Sequence, residues 1–558
     1  LKPSLSLELQ TVSLIAQPMP WSQVYDPFSN PALSTAIAAL PVVALLGLLA
    51  SGRVRAWWAA LLGLGVAGAV AILGFGMPGR MALGAVGYGA AYALFPVGWI
   101  IVNVLFLHRL TVISGRFDEL RLQLASLVPD PRVQVILIAF GFGAFVEGAA
   151  GFGAPVAITA ALLLQLGFAP LQASGLALIA NTAPVAFGSL GIPLITLQQV
   201  TGLDLHGLSA MAGRQLPLFS ALIPAWIVAV YGGWKALRSV WPIAAAAGIS
   251  FGVVQWAVSN FHGPWLVDAI AALASLGATL LAYRWFPAPG DSLMSEKPSG
   301  GSMGARRDWS WKPWWPWIIL MVFIFLWGIP AIKKWLDQIA STSVEIPGLH
   351  LQRMPPVVSQ PRTEIVQFKI NWLSATGSGV LLAGMIAGWA MGLRTGLIVR
   401  TWLRTWYEMR FPLLTIAGML ALGNLTKYSG ADATLGLALA RTGPFYPFFG
   451  TLLGWLGVAL TGSDTAANVL FGSLQQVTAN QLGISPYLMT AANSTGGVMG
   501  KMIDAQSIVV AGAATGSHGG EGKILRYVFP HSIALAILMG LWVAALASFE
   551  CLSFLVIR

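Results

Sequence analysis

Stretches of about twenty consecutive apolar residues recur along the whole chain, the length a helix needs to cross the hydrocarbon of a bilayer. They cover Pro31–Ala50, Ala56–Phe75, Met81–Leu107, Leu216–Tyr231, Val240–Val258, Trp265–Tyr283, Pro313–Pro330, Trp372–Met391, Phe411–Leu425, Phe445–Leu460 and Val528–Phe549. Two further stretches, 136–195 and 461–515, are as apolar but punctuated by Gly, Pro, Asn, Ser and Thr. Such residues interrupt helices, and irregular backbone is tolerated at membrane depth only where protein or a polar cavity surrounds it. The pattern predicts an all-α polytopic membrane protein of roughly a dozen spans, with broken or re-entrant helices in those two places.

Composition agrees. Hydrophobic residues make up 56% of the 558 and charged residues only 9%, against roughly 25% in a soluble protein. Too few charges are present to cover a globular surface, so lipid must solvate most of the outside. Soluble multidomain, disordered and nucleic-acid-binding classes are excluded. One cysteine, Cys551, excludes an intrachain disulfide and a cysteine metal cluster. The net charge of +11 reads as topology, because cytoplasmic loops retain Lys and Arg. Arg53 and Arg55; Arg109, Arg116, Arg121 and Arg132; Lys235 and Arg238; Arg284, Lys297, Arg306, Arg307 and Lys312; and Arg394, Arg400, Arg404 and Arg410 mark one cytoplasmic face, with the N-terminus outside. Residues 332–371, with mixed charges and prolines, read as an extracytoplasmic loop. Trp309 to Trp317 (WSWKPWWPW) reads as an interfacial aromatic belt.

These features divide the chain. Residues 1–30 are an N-terminal extension and extracytoplasmic start, and 1–18 carry no convincing signal peptide. Residues 31–286 form a first transmembrane half, 287–312 a cytoplasmic linker by composition, and 313–558 a second half. The halves share a pattern. GAFVEGAAGFGAPVA (143–157) precedes ANTAPVAFG (180–188), and GVALTGSDTAANVLFG (457–472) precedes ANSTGGVMGK (492–501). In each, a Gly-rich polar turn is followed by Ala-Asn with Thr or Ser-Thr. Paired helix breaks in corresponding halves point to the binding site of a secondary transporter, because half-helix N-termini offer free N–H groups to an anion. Close packing of small residues explains many of the 63 glycines. It does not explain why Glu147, Asp464 and Lys501 arise in the same two places.

WSQVYDP (21–27), LTVISGRFDELR (110–121), EGAAGFGAPVAITAALL (147–163), ANTAPVAFGSLGIP (180–193), FKINWLSATG (368–377), LGWLGVALTGSDTAANVLFG (453–472) and AANSTGGVMGKMI (491–503) resemble blocks of the bacterial L-lactate permease family, which includes glycolate permeases. The resemblance implies uptake of 2-hydroxymonocarboxylates such as L-lactate, D-lactate and glycolate by proton symport across the inner membrane. It also implies an inverted-repeat fold with a scaffold and a transport domain. No cofactor is expected beyond the co-transported proton, or sodium in a sodium-coupled carboxylate carrier. Expected partners are the transported anion, membrane lipid and a second copy in a homodimer, with no nucleic acid. Asp504 stands where a Ser-Pro pair is expected, and Lys427 where the family looks neutral.

An intramembrane carboxylate is costly and a functional candidate by default. Glu147 and Asp464 are the candidates for proton or ion coupling, with helix capping the alternative for each and, for Asp464, sodium ligation. Lys501 is the candidate partner for the substrate carboxylate, or else a salt-bridge partner of Asp464 or Asp504. Asn181, Thr182, Ser463, Asn493, Ser494, Thr495, Gly148 and Gly151 complete the expected substrate site; backbone repair at the breaks is their alternative role. His206, His262, His350 and His518 read as solvated loop residues and His531 as interfacial. Lys427 and Arg441 read as snorkelling side chains or cytoplasmic contacts. No nucleophile–base pair or metal cluster suggests an enzyme. GGSMG (300–304) fits the nucleophile-elbow pattern but lies in a Gly/Ser linker with no strand before it, and GGVMGKM (496–502) matches a phosphate loop only in part. A passive channel is disfavoured by paired intramembrane carboxylates.

Overall fold

The computed structural model describes residues 21–50, 54–149, 154–286, 310–357, 360–517 and 520–557. Residues 1–18, most of the 287–312 linker with its GGSMG motif, Gly151 and His518 lie outside these. The first half opens with strand β1 (Trp21–Ser22), then helices α1 (Pro31–Ala50), α2 (Ala56–Ala69), α3 (Gly79–Tyr92), α4 (Trp99–Ile113) and α5 (Arg116–Ala125). Helix α6 (Pro131–Gln134) continues through the wider-wound Val135–Phe142 into α7 (Gly143–Ala149). Then come α8 (Ala154–Gln165), α9 (Pro170–Ala180), α10 (Gly188–Thr201), α11 (Leu205–Gln215), α12 (Pro217–Phe261) and α13 (Val267–Trp285).

The second half begins with α14 (Trp315–Gly328) and α15 (Pro330–Ile339). Strands β2 (Thr342–Glu345), β3 (Leu351–Arg353), β4 (Arg362–Glu364) and β5 (Gln367–Ile370) follow. The remainder is helical: α16 (Thr376–Ala390), α17 (Thr395–Ser429), α18 (Ala431–Leu439), α19 (Tyr446–Thr461), α20 (Asp464–Gln481), α21 (Pro486–Gly500), α22 (Ala505–Ala514) and α23 (Glu521–Ser548). Among the described residues, eight helical runs are long and apolar enough to cross a membrane, or ten if each bent pair is one span. The chain is a mostly helical, multi-pass membrane protein. The continuous apolar stretch Pro131–Ala149 is buried throughout by protein, so a span-like sequence here marks the interior rather than the lipid face.

Several sequence expectations change. The apolar runs 216–231 and 240–258 are two arms of α12, folded back at Gly232–Gly233, where Gly233 has φ 71°. The arms meet backbone to backbone: a Cβ on Gly248 would lie 2.1 Å from the Ala221 carbonyl oxygen. Helix α17 starts at Thr395, well before the apolar run that begins at Phe411, because its polar first turns are held by charge pairs. Arg404 Nε donates to Glu408 at 2.7 Å, and Arg109 also bridges to Glu408. The 332–371 segment is more than a loop. It carries most of α15, the sheet β2–β5 and strands β3 and β4, which pair with β1 from the start of the chain as β1–β3–β4, so the fold is not purely α. The tryptophan belt is split: Trp311 and Trp315 are exposed, whereas Trp314 and Trp317 are buried against Phe145, with ring centroids 6.0 and 5.3 Å away. His262 is not solvated. It stacks on Phe325 at 5.4 Å, and both its ring nitrogens are shut from solvent. His531 sits inside α23 and accepts from Trp226 Nε1 at 3.2 Å.

Two arrangements position the functional residues. Helices α19 and α21 cross without side chains between them. A Cβ on Gly454 would lie 2.0 Å from the Asn493 carbonyl oxygen, one on Gly496 2.2 Å from that of Thr451, and one on Gly500 2.3 Å from that of Trp455. Small residues thus bring the two backbones into direct contact. At the other end of the chain, β1 pairs in parallel with β3. The Gln23 side-chain amide then donates to the carbonyls of Lys427 (2.8 Å) and Tyr428 (3.0 Å). Tyr25 OH accepts from Met354 N at 3.1 Å, and Thr434 Oγ1 donates to the Tyr25 carbonyl at 2.9 Å. Residues 21–25 thereby tie the strands to the ends of α17 and α18.

Candidate functional site

The expected break between Glu147 and Ala157 falls largely on residues 150–153, outside the described residues. The run from α9 into α10 bends by 62° at residues 181–184. Past that bend Ser189, Leu190 and Gly191 all take left-handed φ angles of 48°, 61° and 76°. Two consecutive non-glycine residues in that region are costly and hold only where packing fixes them; here Pro264 presses on Gly191, 2.6 Å from where its Cβ would be. In the second half Gly462 (φ 72°) turns α19 into α20. Residues Lys501–Asp504 interrupt the run from α21 into α22, and the extended Asp504 caps α22 through Ser507 N at 2.7 Å.

The breaks converge. Glu147, at the end of α7, is buried, and its Oε2 has no hydrogen-bond partner among the described residues. Its Oε1 would lie 2.6 Å from a Cβ on Gly188, so the absent side chain there makes room for the carboxylate. Asn181, the C-cap residue of α9, is buried beside it with neither amide atom in a well-formed hydrogen bond. Asp464, also buried, accepts from Ser494 Oγ at 2.5 Å through Oδ2, while Oδ1 makes no well-formed hydrogen bond among the described residues, with the Asn468 side chain near the carboxylate. Gly497 leaves the room for Oδ1, 2.5 Å from where its Cβ would be. Lys501 lies close enough to act electrostatically on both Glu147 and Asp464. Its Nζ donates to the Gly462 carbonyl at 2.6 Å and pairs with Asp504 at 3.2 Å. Glu147, Asn181, Asp464, Ser494 and Lys501, drawn from four motifs, therefore share one neighbourhood. Among the described residues no group of three His, Cys, Asp or Glu could hold a metal ion.

The family model for L-lactate permease matches residues 34–549. The chain belongs to the L-lactate permease family. Glycolate permease GlcA of Escherichia coli (strain K12) is 43% identical over 542 residues, covering 93% of this chain and 97% of that one. L-lactate permease of the same strain is 42% identical over 537 residues with the same coverage, and that of Bacillus subtilis (strain 168) is 40% identical over 547. These relatives are transporters, not enzymes, and this permease is a multi-pass protein of the bacterial inner membrane. Among solved structures, the Alcanivorax borkumensis YdaH transporter aligns over 83% of this chain and 87% of that one, with a TM-score of 0.43 and 18% identity.

Other residues expected in the permease site are engaged elsewhere. Ser463, not Asp464, caps α20, its Oγ accepting from Ala466 N at 3.3 Å. Thr182 Oγ1 donates to the Ile179 carbonyl at 2.7 Å, closing the end of α9. Asn493 Nδ2 donates to Asn468 Oδ1 (2.9 Å) and the Ala467 carbonyl (3.2 Å), and its Oδ1 accepts from Gln475 Nε2 (3.3 Å). Thr495 Oγ1 donates to Gln215 Oε1 at 2.5 Å. Gly148 is a packing position: a Cβ there would lie 2.7 Å from the Cβ of Asp268. Asp268 itself escaped the sequence reading. It is fully buried at the start of α13, neither carboxylate oxygen has a hydrogen-bond partner among the described residues, and it acts electrostatically on Glu147. An acidic residue within the apolar run Trp265–Tyr283 was the available signal. Lys427, read from sequence as a snorkelling side chain or a cytoplasmic contact, has a described place in the fold. It lines a cavity shared with residues 363–369.

Proposed function

We propose that this permease takes up L-lactate and related 2-hydroxymonocarboxylates, D-lactate and glycolate among them, by proton symport. In this reading Glu147 and Asp464 carry the coupling proton, and Lys501, Asn181 and Ser494 contact the substrate as it passes the breaks. The observation that carries the reading is a pair of buried carboxylates, each with an oxygen in no well-formed hydrogen bond among the described residues, at matching breaks in a chain of the lactate permease family. Desolvation disfavours a carboxylate's charged form unless a partner compensates, so taking up a proton is the chemistry open to such an oxygen.

The energetics favour a proton. A carboxylic acid of this type has a pKa of about 4 and is an anion at neutral pH. Carrying one negative charge inward against 100 mV, inside negative, costs about 2.3 kcal/mol. One proton per anion removes that cost. In proteoliposomes an imposed inward proton gradient without sodium is expected to drive accumulation of labelled L-lactate and glycolate. Uptake that requires sodium and ignores the proton gradient overturns proton symport in favour of a sodium-coupled carrier.

A further inference from the structure

A cavity of about 910 Å³ lies away from the helix breaks, between α3, α10, α20 and the end of α17, against residues 363–376. Four basic side chains line it, Lys333, Arg353, Lys369 and Lys427, against one carboxylate, Glu364. Three of the cations are already committed. Arg353 pairs with Glu364 at 2.7 Å, Lys369 with Asp337 at 2.8 Å, and Lys333 sits over the Trp265 ring at 5.8 Å. Lys427 is different. Among the described residues its ammonium has no ion pair and no hydrogen bond; only its main-chain carbonyl is used, by Gln23. The charged groups acting on it are Glu364, Arg353 and Asp432, and Glu364 is held by Arg353.

Two amides of the same lining are also left over. Among the described residues, Gln199 Nε2, from α10, makes no well-formed hydrogen bond although Tyr88 OH of the same lining is near it, and Gln476 Oε1, from α20, has no partner; both are shut from solvent. Buried polar groups are normally satisfied, and each orphan costs about 1–3 kcal/mol. An unpaired cation, an N–H donor and a carbonyl acceptor around one cavity are complementary to a carboxylate bearing a neighbouring hydroxyl. We propose that this cavity is an entry site for a small 2-hydroxycarboxylate anion. Lys427 and the Gln199 amide hold the carboxylate, and Gln476 accepts from the 2-hydroxyl. The site rests on the uptake reading above and adds where the anion is first bound, under the segment read as extracytoplasmic.

The test is initial-rate uptake in proteoliposomes driven by an inward proton gradient, using the full chain. Lys427→Met is expected to raise KM for L-lactate and glycolate tenfold or more, and Lys427→Arg, which keeps the charge, to recover much of the loss. Gln199→Glu, nearly isosteric, sets a negative charge against the carboxylate and is expected to raise KM at least as much, so the site stays testable if Lys427→Met does not fold. Gln476→Leu is expected to narrow the gap between L-lactate and propionate as competitors, since propionate lacks only the hydroxyl. If wild-type protein accumulates lactate while Gln199→Glu and Gln476→Leu, and Lys427→Met where it folds, keep wild-type KM and selectivity, the entry site is overturned and the uptake reading stands. If wild-type protein accumulates no 2-hydroxycarboxylate, the uptake reading itself is overturned.

Discussion

Glu147→Gln and Asp464→Asn are each expected to abolish concentrative uptake of L-lactate while leaving counterflow exchange. One proton per anion across a gradient of one pH unit supports about tenfold accumulation; the variants bring this to none. Each substitution keeps the shape of its side chain but removes the group that binds a proton. Counterflow needs binding and reorientation with no net proton movement, so it separates coupling from substrate handling. In Asp464→Asn, Ser494 can donate to the new carboxamide oxygen as it does to the native carboxylate, and the space left by Gly188 and Gly497 accommodates either amide. Loss of counterflow together with accumulation would move both carboxylates from coupling to binding or folding. Unchanged accumulation in both variants would remove them from the mechanism. Asp268→Asn belongs in the same series, because Asp268 lies against Glu147 and neither of its oxygens has a hydrogen-bond partner among the described residues.

Lys501→Gln is expected to sharply reduce the yield of monodisperse protein, and Lys501→Gln with Asp504→Asn to restore it. Asp504 is wholly buried, and Lys501 is its ion-pair partner at 3.2 Å. Removing one partner of a buried pair leaves the other charge uncompensated, at a cost of about 3–5 kcal/mol; removing both is far milder. The same lysine donates to the Gly462 carbonyl, so it ties the turn between α19 and α20 to the break after α21. Size-exclusion profiles and thermal unfolding of the single and double variants measure the effect. The refolded double variant lacks the ammonium beside Glu147 and Asp464, and its KM for L-lactate is expected to rise tenfold or more. Normal yield of the single variant would show that the pair contributes nothing to stability. An unchanged KM in the double variant would leave the anion to Asn181, Ser494 and backbone groups.

The breaks were legible because Gly, Pro and Asn act locally, whatever surrounds them. Gly462 turns where the sequence places a turn, and the run after Ala180 bends where Asn181 to Pro184 interrupt it. Glu147, Asp464 and Lys501 were legible because a charge in an apolar stretch stands out. Their partners were not. Nothing local to Glu147 announces Asp268, more than a hundred residues away, and nothing about Asn493 says that three neighbours consume its amide. The same limit hid the cavity. Lys427 stood out in sequence, but Gln199 and Gln476 did not, and only the folded chain brings the ammonium and the two amides to one space. Helix ends were misjudged where amphipathic turns continue a span, as in α17, because charge was read as loop when Arg404 and Glu408 satisfy each other on the helix.

The clasp made by residues 21–25 has a consequence for how the chain is assembled. Gln23 reaches partners 404 residues further along, and Tyr25 waits for Thr434, 409 residues on. At roughly 5–20 residues per second, translation needs on the order of 20–80 s to deliver the matching carbonyls of Lys427 and Tyr428. The first strand of the β1–β3–β4 sheet is thus the earliest described element to be made and among the last to be seated. The wall of the cavity next to Lys427 closes only after most of the helices exist. A ribosome stalled before residue 427 therefore carries a chain whose helix breaks of the first half can be in place, but in which that wall has nothing to fasten to.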